Sequence, residues 1–320
     1  MRSDTRVPPP DARSTSLAAT SAAAAGRSAV PERQVTLAWR RFKRDRLALA
    51  GGIFVLVLVL VALLAPVLAP YDPAEQFTDG LTADGLPVPS TLPGSTRFLL
   101  GTDQNGRDLL SRIIWGARVS LTVGVLANVI AVGFSVMVGA VAGYLGGWRG
   151  NVIMRFTDMM MAFPTLLLAI ALVAILRPSI WVIIVVIGAV YWTWIARIIY
   201  GAVRSLRELE FVTAAVSIGA PTWRIILRHI LPHLLSIVIV WASLGISTNV
   251  MLEASLSYLG IGVQPPTPSW GGMIQQGQSF YRAAPWLVIY PGLAIMLTIL
   301  CFNLLGDGLR DALDPQQQRR

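Results

Sequence analysis

Six long apolar stretches alternate with polar segments along the chain. They cover residues 47–69, 119–142, 159–176, 179–196, 234–252 and 286–305. A helix rises roughly 1.5 Å per residue, so about 20 apolar residues cross the ~30 Å hydrocarbon core of a bilayer. The pattern therefore predicts an all-α integral membrane protein with six transmembrane helices.

Proline and glycine refine this pattern. Only Arg177 and Pro178 separate the third and fourth stretches, which predicts a tight helical hairpin. Pro164 and Pro291 lie inside stretches and predict kinks. Small residues spaced by four allow two membrane helices to approach closely. Three glycines have this spacing and are expected to pack against a neighbouring helix: Gly139, Gly143 and Gly147.

The polar segments define the predicted organisation. Residues 1–34 are rich in Ala, Ser, Pro and Arg and predict a disordered tail. A basic interfacial segment and the first span follow at 35–69, and then an extracytoplasmic loop at 70–118 whose end predicts a short helix on the membrane surface. Residues 119–315 form a predicted five-helix core that includes a cytoplasmic loop at 201–232, and 316–320 form a second tail.

Composition and charge support a membrane protein and set its orientation. Only 13% of residues are charged, about half the usual share, while the net charge is +9. Placing the N-terminus in the cytoplasm puts 20 basic residues inside and 6 outside, which predicts that both termini are cytoplasmic. In a membrane protein such a positive charge is typical of arginines in cytoplasmic loops, which argues against nucleic acid, and the single cysteine, Cys301, excludes a disulfide within the chain and a cysteine metal site. No metal site is predicted.

The loop between the fourth and fifth stretches has the pattern helix, turn, helix. Glu208 and Glu210 suit a helix N-terminus, Gly219 suits its end, and Thr222 could cap the next helix. Small and apolar residues are predicted on one face of the first helix: Phe211, Ala214, Ala215 and Ile218. The residues alone leave two interpretations open, a docking surface for a partner or a connector that packs against its own bundle.

This loop resembles the coupling segment of importer-type ABC permeases. The family pattern is Glu-Ala-Ala, three residues, Gly, nine residues, Ile, any residue, then Leu-Pro. The matching residues have the family spacing: Ala214, Ala215, Gly219, Leu231 and Pro232. Thr213 stands where Glu is usual and His229 where Ile is usual. Glu210 is the nearest acid that could take the place of the missing Glu.

Three further segments resemble permeases of the DppC/OppC type, at 100–112, 253–262 and 303–315. The resemblance covers the chain from about residue 38 to 315 and implies a type I ABC importer permease fold. It also implies which residues couple transport to the ATPases. These are Glu210, Phe211, Thr213, Ala214, Ala215, Gly219, Leu231 and Pro232.

The resemblance implies a subunit of an ATP-driven importer of dipeptides or oligopeptides. Its expected partners are a second permease of the DppB/OppB type, two ABC ATPase subunits, an extracytoplasmic binding protein and membrane lipid. The one lysine, Lys43, lies outside any phosphate-binding loop, so we expect no enzyme activity and no cofactor here, with ATP and magnesium bound by the partner ATPases. Import of nickel complexes or haem is the alternative. An ion-coupled secondary transporter is more distant, because no acid lies near the middle of a span.

Three polar residues within the spans are candidates for gating or for lining the pathway: Glu253, Asn249 and Asn128. Glu253 lies at the outer end of the fifth stretch, and an ionisable residue at membrane depth is a functional candidate. It could hold an arginine, contact a peptide amine or face water at the boundary.

Overall fold

A computed structural model of the protein describes residues 39–89 and 97–313. The predicted tails at 1–34 and 316–320 lie outside these residues. The helices, in chain order, are α1 (Arg46–Leu63), α2 (Ala65–Leu68), α3 (Leu109–Leu145), α4 (Gly147–Met161), α5 (Thr165–Leu176), α6 (Ile180–Arg207), α7 (Glu210–Ser217), α8 (Thr222–Tyr258), α9 (Trp270–Gly277) and α10 (Trp286–Leu313). Within α8, Ile225–Ile230 form a π-helical turn. The described residues therefore form an all-helical fold.

Five helices are long and apolar enough to cross a membrane: α1, α3, α6, α8 and α10. The pair α4 and α5 becomes a sixth span if it is counted as one broken crossing, because the two helices meet at 86°. The class predicted from the apolar stretches is confirmed.

The third predicted span has the kink predicted at Pro164, which divides the span between two helices. Its first residues belong to α4, the chain breaks before Pro164, and α5 has only 12 residues. Proline lacks an N–H and disfavours helical backbone in the residue before it, so the helix ends there. At roughly 18 Å, α5 alone is shorter than the hydrocarbon core.

The prediction of a separate short surface helix at the end of the loop at 70–118 is wrong. Its residues are the first turns of α3, a continuous helix of 37 residues. The carboxylate of Asp108 caps this helix by accepting a hydrogen bond from the Ser111 N–H at 2.8 Å. Arg112 interrupts the apolar pattern, but its side chain is buried beside Asp103 at 3.2 Å, so the helix continues through it.

The predicted packing of the spaced glycines against a neighbouring helix is confirmed for Gly139 and Gly143 but not for Gly147. An added Cβ at Gly139 would lie 2.6 Å from the Ala196 carbonyl oxygen, and one at Gly143 would lie 2.8 Å from the Val203 Cβ. Close approach of α3 and α6 therefore requires glycine at both. Gly147 instead has open space around it and a φ of +51°, which serves the turn into α4.

Helix α9 lies between α3, α8 and α10, at the end of the bundle where α3 and α10 begin. The Trp270 indole N–H donates to the Ile113 carbonyl oxygen at 3.1 Å, and Trp270 is fully buried. An added Cβ at Gly277 would lie 2.7 Å from the Leu287 Cβ on α10. Close contacts of this kind fix α9 to the start of α3, the end of α8 and the start of α10.

Candidate functional site

Helix α7 connects two of the long helices, α6 and α8. Its buried side chains, Val212 and Ala215, are 1% and 5% exposed. They belong to a core cluster with Ile195, Ile199 and Val203 of α6. A short helix of eight residues is therefore held against the bundle by one narrow apolar face.

The face predicted from the sequence is wrong in part. Ala214 is exposed, and Ile218 is 85% exposed, while Val212 takes the buried position. Phe211 is half-buried, with its ring 5.0 Å from that of His233 at the start of α8. The buried residues Val212 and Ala215 are three apart, so the face that packs against the bundle is centred on them, and Ala214 and Ile218 lie to one side of that face.

Gly219 terminates α7 as predicted. Its φ is +77°, the left-handed region that glycine adopts without a steric penalty. The Ala220 N–H donates to the Ala215 carbonyl oxygen at 3.1 Å, and the Gly219 N–H donates to the Val216 carbonyl oxygen at 2.9 Å. This pair of hydrogen bonds is the Schellman motif, which satisfies the last carbonyls of the helix.

The start of α8 differs from the prediction. Pro221 occupies the cap position, Thr222 is the first helical residue, and the Thr222 side chain makes no capping hydrogen bond. The motif residues Leu231 and Pro232 follow the π-helical turn, with Leu231 half-buried and Pro232 exposed. A π-helical turn within an α-helix is often found at a functional site.

The opposite side of the loop presents an exposed apolar surface. The exposed fractions are 85% for Ile218, 52% for Val216, 62% for Trp223 and 56% for Leu227. Other exposed residues border it: Glu208, Leu209, Glu210, Thr213, Ala214 and Ser217. We refer to the exposed residues of 208–218 together with Trp223 and Leu227 as the coupling surface. Exposed apolar side chains with polar neighbours are typical of a site where another protein binds.

The candidate pathway residues Asn128 and Asn249 join two helices of the bundle. Asn249 on α8 donates its amide to the Asn128 side-chain oxygen on α3 at 3.3 Å, and Asn128 donates to the Ala242 carbonyl oxygen at 2.6 Å. Asn249 is 0% exposed and Asn128 is 3% exposed. This position inside the chain's own core indicates a packing contact between α3 and α8.

Glu253 is also fully buried, near the C-terminal end of α8. The Ser257 hydroxyl donates to its Oε1 at 2.7 Å, and the same hydroxyl accepts from the Val263 N–H at 3.1 Å. In the described part of the chain Glu253 forms no ion pair, so the arginine partner considered for it is not present. The contacts connect the end of α8 to the turn that follows it.

An open cleft lies elsewhere, and the sequence pattern did not indicate it. A cavity of about 340 Å³ opens between α6, α8 and α10, and Ile198, Trp241 and Arg310 line it. Its walls are mostly aliphatic, with one cationic side chain. Residue type alone could not single out these positions, because Trp241 and Ile198 look like ordinary span residues.

A buried polar cluster beside α9 was also missed. The Asp103 carboxylate accepts from Arg107 Nε at 2.7 Å and lies 3.2 Å from Arg112 Nε. Gln276 on α9 accepts from Arg107 and Arg112 at 3.2 and 3.3 Å. The segment at 100–112 therefore connects the loop before α3 to α9. The sequence signal was the closely spaced charges, but their partner Gln276 lies far along the chain.

Together, the broken span, the long helices on both sides of α7 and the exposed coupling surface define a membrane-embedded transport subunit. Residues 135–319 match the family model described as "Binding-protein-dependent transport system inner membrane component". Residues 34–84 match the "N-terminal TM domain of oligopeptide transport permease C". The chain belongs to the family of binding-protein-dependent transport system inner membrane components.

The chain is similar over most of its length to permeases of known transport systems. The chain is 45% identical over 279 residues to the di/tripeptide transport system permease protein DppC of Pseudomonas aeruginosa, covering 87% of this chain and 91% of that protein. It is 42% identical over 278 residues to the glutathione transport system permease protein GsiD of Pectobacterium atrosepticum, covering 87% and 90%.

A solved structure supports the fold. The inward-facing MetNI methionine ABC transporter contains a chain that superposes with a TM-score of 0.53 at 15% sequence identity. The match covers 63% of this chain and 96% of that one. At this identity the likeness shows the fold alone, and it agrees with the ABC importer permease fold expected from the sequence.

Proposed function

We propose that this chain is one of two membrane subunits that form the import pathway for short peptides, driven by ATP hydrolysis in partner subunits. The observation that carries the proposal is the position of α7. It presents an exposed apolar surface on one side, and its other side packs against α6, which continues into the membrane. The peptide substrate is inferred from the names of the relatives, which transport dipeptides, tripeptides and glutathione.

The proposed partners follow from the family to which the chain belongs and from the coupling surface. Each of two ABC ATPases would contact one permease, and the coupling surface of this chain would receive one of them. A DppB/OppB-type permease would complete the pathway, and an extracytoplasmic binding protein would deliver the peptide. Both termini would be cytoplasmic, since this orientation places 20 basic residues on the cytoplasmic side and 6 on the other.

Coupling would act through helix connectivity. Helix α6 ends at Arg207, α7 starts three residues later, and α8 begins after the Gly219 turn. A displacement of α7 on ATPase closure would pull on both neighbours, which extend to the outer region. Movement of rigid helices around a central site is the common form of alternating access. In this proposal the chain hydrolyses no ATP and holds no cofactor.

The test uses the assembled transporter in lipid nanodiscs. ATP hydrolysis and uptake of a labelled dipeptide are measured with the binding protein for the wild type and for Ile218→Asp. Ile218 is 85% exposed, so a charge there should leave the fold intact while it disrupts an apolar contact. Leu99→Asp is the matched control, since Leu99 is 67% exposed in the outer loop.

The expected result is loss of peptide-stimulated ATP hydrolysis in Ile218→Asp and normal activity in Leu99→Asp. Full activity of Ile218→Asp would reject the coupling surface. If a nickel complex or haem stimulated ATP hydrolysis and peptides did not, the proposed architecture would stand and the peptide substrate would be wrong.

A further inference from the structure

A strongly basic segment bends into the first membrane helix, and the proposed import function does not account for it. Residues 39–46, here called the basic elbow, form a helical turn at 39–42, a bend at 43–44 and the cap of α1. Five of its eight residues are basic: Arg40, Arg41, Lys43, Arg44 and Arg46.

One aromatic residue holds the basic elbow in place. Phe42 is 8% exposed and packs with Ala48 of α1 and Ala312 of α10. An added Cβ at Gly308 would lie 3.4 Å from the Phe42 ring, so α10 approaches that ring closely. Trp39 stacks on Phe42 with the ring centroids 6.0 Å apart, and it is itself 55% exposed. The basic elbow is therefore fixed against two membrane helices.

Three of its cations face outward. Lys43, Arg44 and Arg46 are exposed, and the Lys43 ammonium lies 5.0 Å from the Trp39 ring centroid. Arg40 and Arg41 each interact with another group in the protein, so the inference does not depend on them. The one acid of the basic elbow, Asp45, accepts hydrogen bonds from the N–H groups of Leu47 and Ala48 at 2.9 and 3.2 Å.

The location of these cations indicates which kind of ligand they meet. α1 becomes continuously apolar at Leu47, which is 65% exposed, so Lys43, Arg44 and Arg46 lie where a lipid headgroup layer begins. Exposed Trp39 suits the same depth, because tryptophan prefers the membrane interface. On α10, the exposed carboxylates of Asp307 and Asp311 flank the exposed Arg310.

We propose that the basic elbow binds the phosphate groups of anionic phospholipids at the membrane surface where α1 begins. Basic residues beside a membrane helix attract anionic lipid by about 1 kcal/mol each, which corresponds to roughly a fivefold change in affinity per charge. The proposal goes beyond import and needs only that α1 spans the bilayer. It stands or fails independently of the transported substrate.

The experiment measures lipid retention by the assembled transporter. The complex is reconstituted in nanodiscs that contain equal amounts of phosphatidylglycerol and phosphatidylcholine, delipidated in steps with detergent, and analysed by lipid mass spectrometry. The wild type should retain phosphatidylglycerol preferentially. The variant Lys43→Gln/Arg44→Gln/Arg46→Gln should lose about fivefold in preference for each charge removed.

Two matched variants make the result specific. Arg149→Gln/Arg155→Gln/Arg204→Gln removes three exposed charges elsewhere and should keep the preference. Arg44→Lys/Arg46→Lys keeps the charges and should also keep it. If the glutamine triple fails to assemble, Arg44→Gln alone replaces it, with an expected loss of about fivefold.

Three outcomes would overturn the proposal. The first is an unchanged preference in the elbow triple, and the second is an equal loss in the control triple, which would indicate only the overall field of the protein. The third is displacement of phosphatidylglycerol by inorganic phosphate but not by chloride at the same ionic strength. That result would assign the basic elbow to a soluble phosphate.

Discussion

The attachment of α7 to the bundle can be tested with two substitutions of the same chemistry on opposite faces. Val212 is 1% exposed and Val216 is 52% exposed. Val212→Ala removes two buried methyl groups, which lowers the stability of the packed α7 by about 1.6 kcal/mol before any cavity is counted. Val216→Ala removes the same atoms from a largely solvated position, where changes stay within about 0.5 kcal/mol.

Hydrogen exchange of the α7 amides measures this difference directly, because local opening sets their protection. The membrane subunits are examined in nanodiscs without the ATPases. Since about 1.4 kcal/mol corresponds to a factor of ten, Val212→Ala should accelerate exchange about fifteenfold or more, and Val216→Ala about twofold at most. Equal acceleration in both variants would show that the buried face does not hold α7, and the reasoning would be refuted.

Three other substitutions test particular contacts. Gly219→Ala should lower the stability of the turn after α7 by about 1 kcal/mol, because alanine resists a φ of +77°; unchanged hydrogen exchange at 216–220 would contradict this. Gly139→Val should lower the thermal unfolding temperature, since even a Cβ would lie 2.6 Å from the Ala196 oxygen; Gly133→Ala, in open space, is the control and should not. Gln276→Ala should lower the temperature as well, by removing an acceptor shared by two buried arginines at a cost of about 1–3 kcal/mol; an unchanged transition would refute a structural role for that cluster.

Hydropathy located the membrane helices but not their continuity. The second apolar stretch begins only after Arg112 and Arg118, yet α3 contains both arginines. The helix includes Arg112 because Asp103 and Gln276 stabilise its buried guanidinium. Those partners are distant in the sequence, and a local pattern contains no information about them. The break before Pro164 had a visible signal, but a proline alone does not distinguish a gentle kink from an 86° bend.

At the candidate site, local backbone chemistry was predictable and burial was not. Gly219 was identified as the end of α7, since few other residues adopt its conformation. Ala215 and Ile218 were predicted to share one face, yet Ala215 is buried against the bundle and Ile218 is 85% exposed. Glu253 and Asn249 were selected as polar residues in a span, yet their contacts lie within the chain's own core.

The bend before α1 gives this protein a built-in attachment point for a spectroscopic label. Lys43 is the chain's one lysine, and its side chain is exposed beside Trp39. Apart from the terminal amine, an amine-reactive fluorophore would therefore modify one known position without any engineered cysteine. A dye at that position would lie next to an exposed indole and at the entrance to a membrane helix, where its emission would report on the polarity around the protein in each lipid mixture.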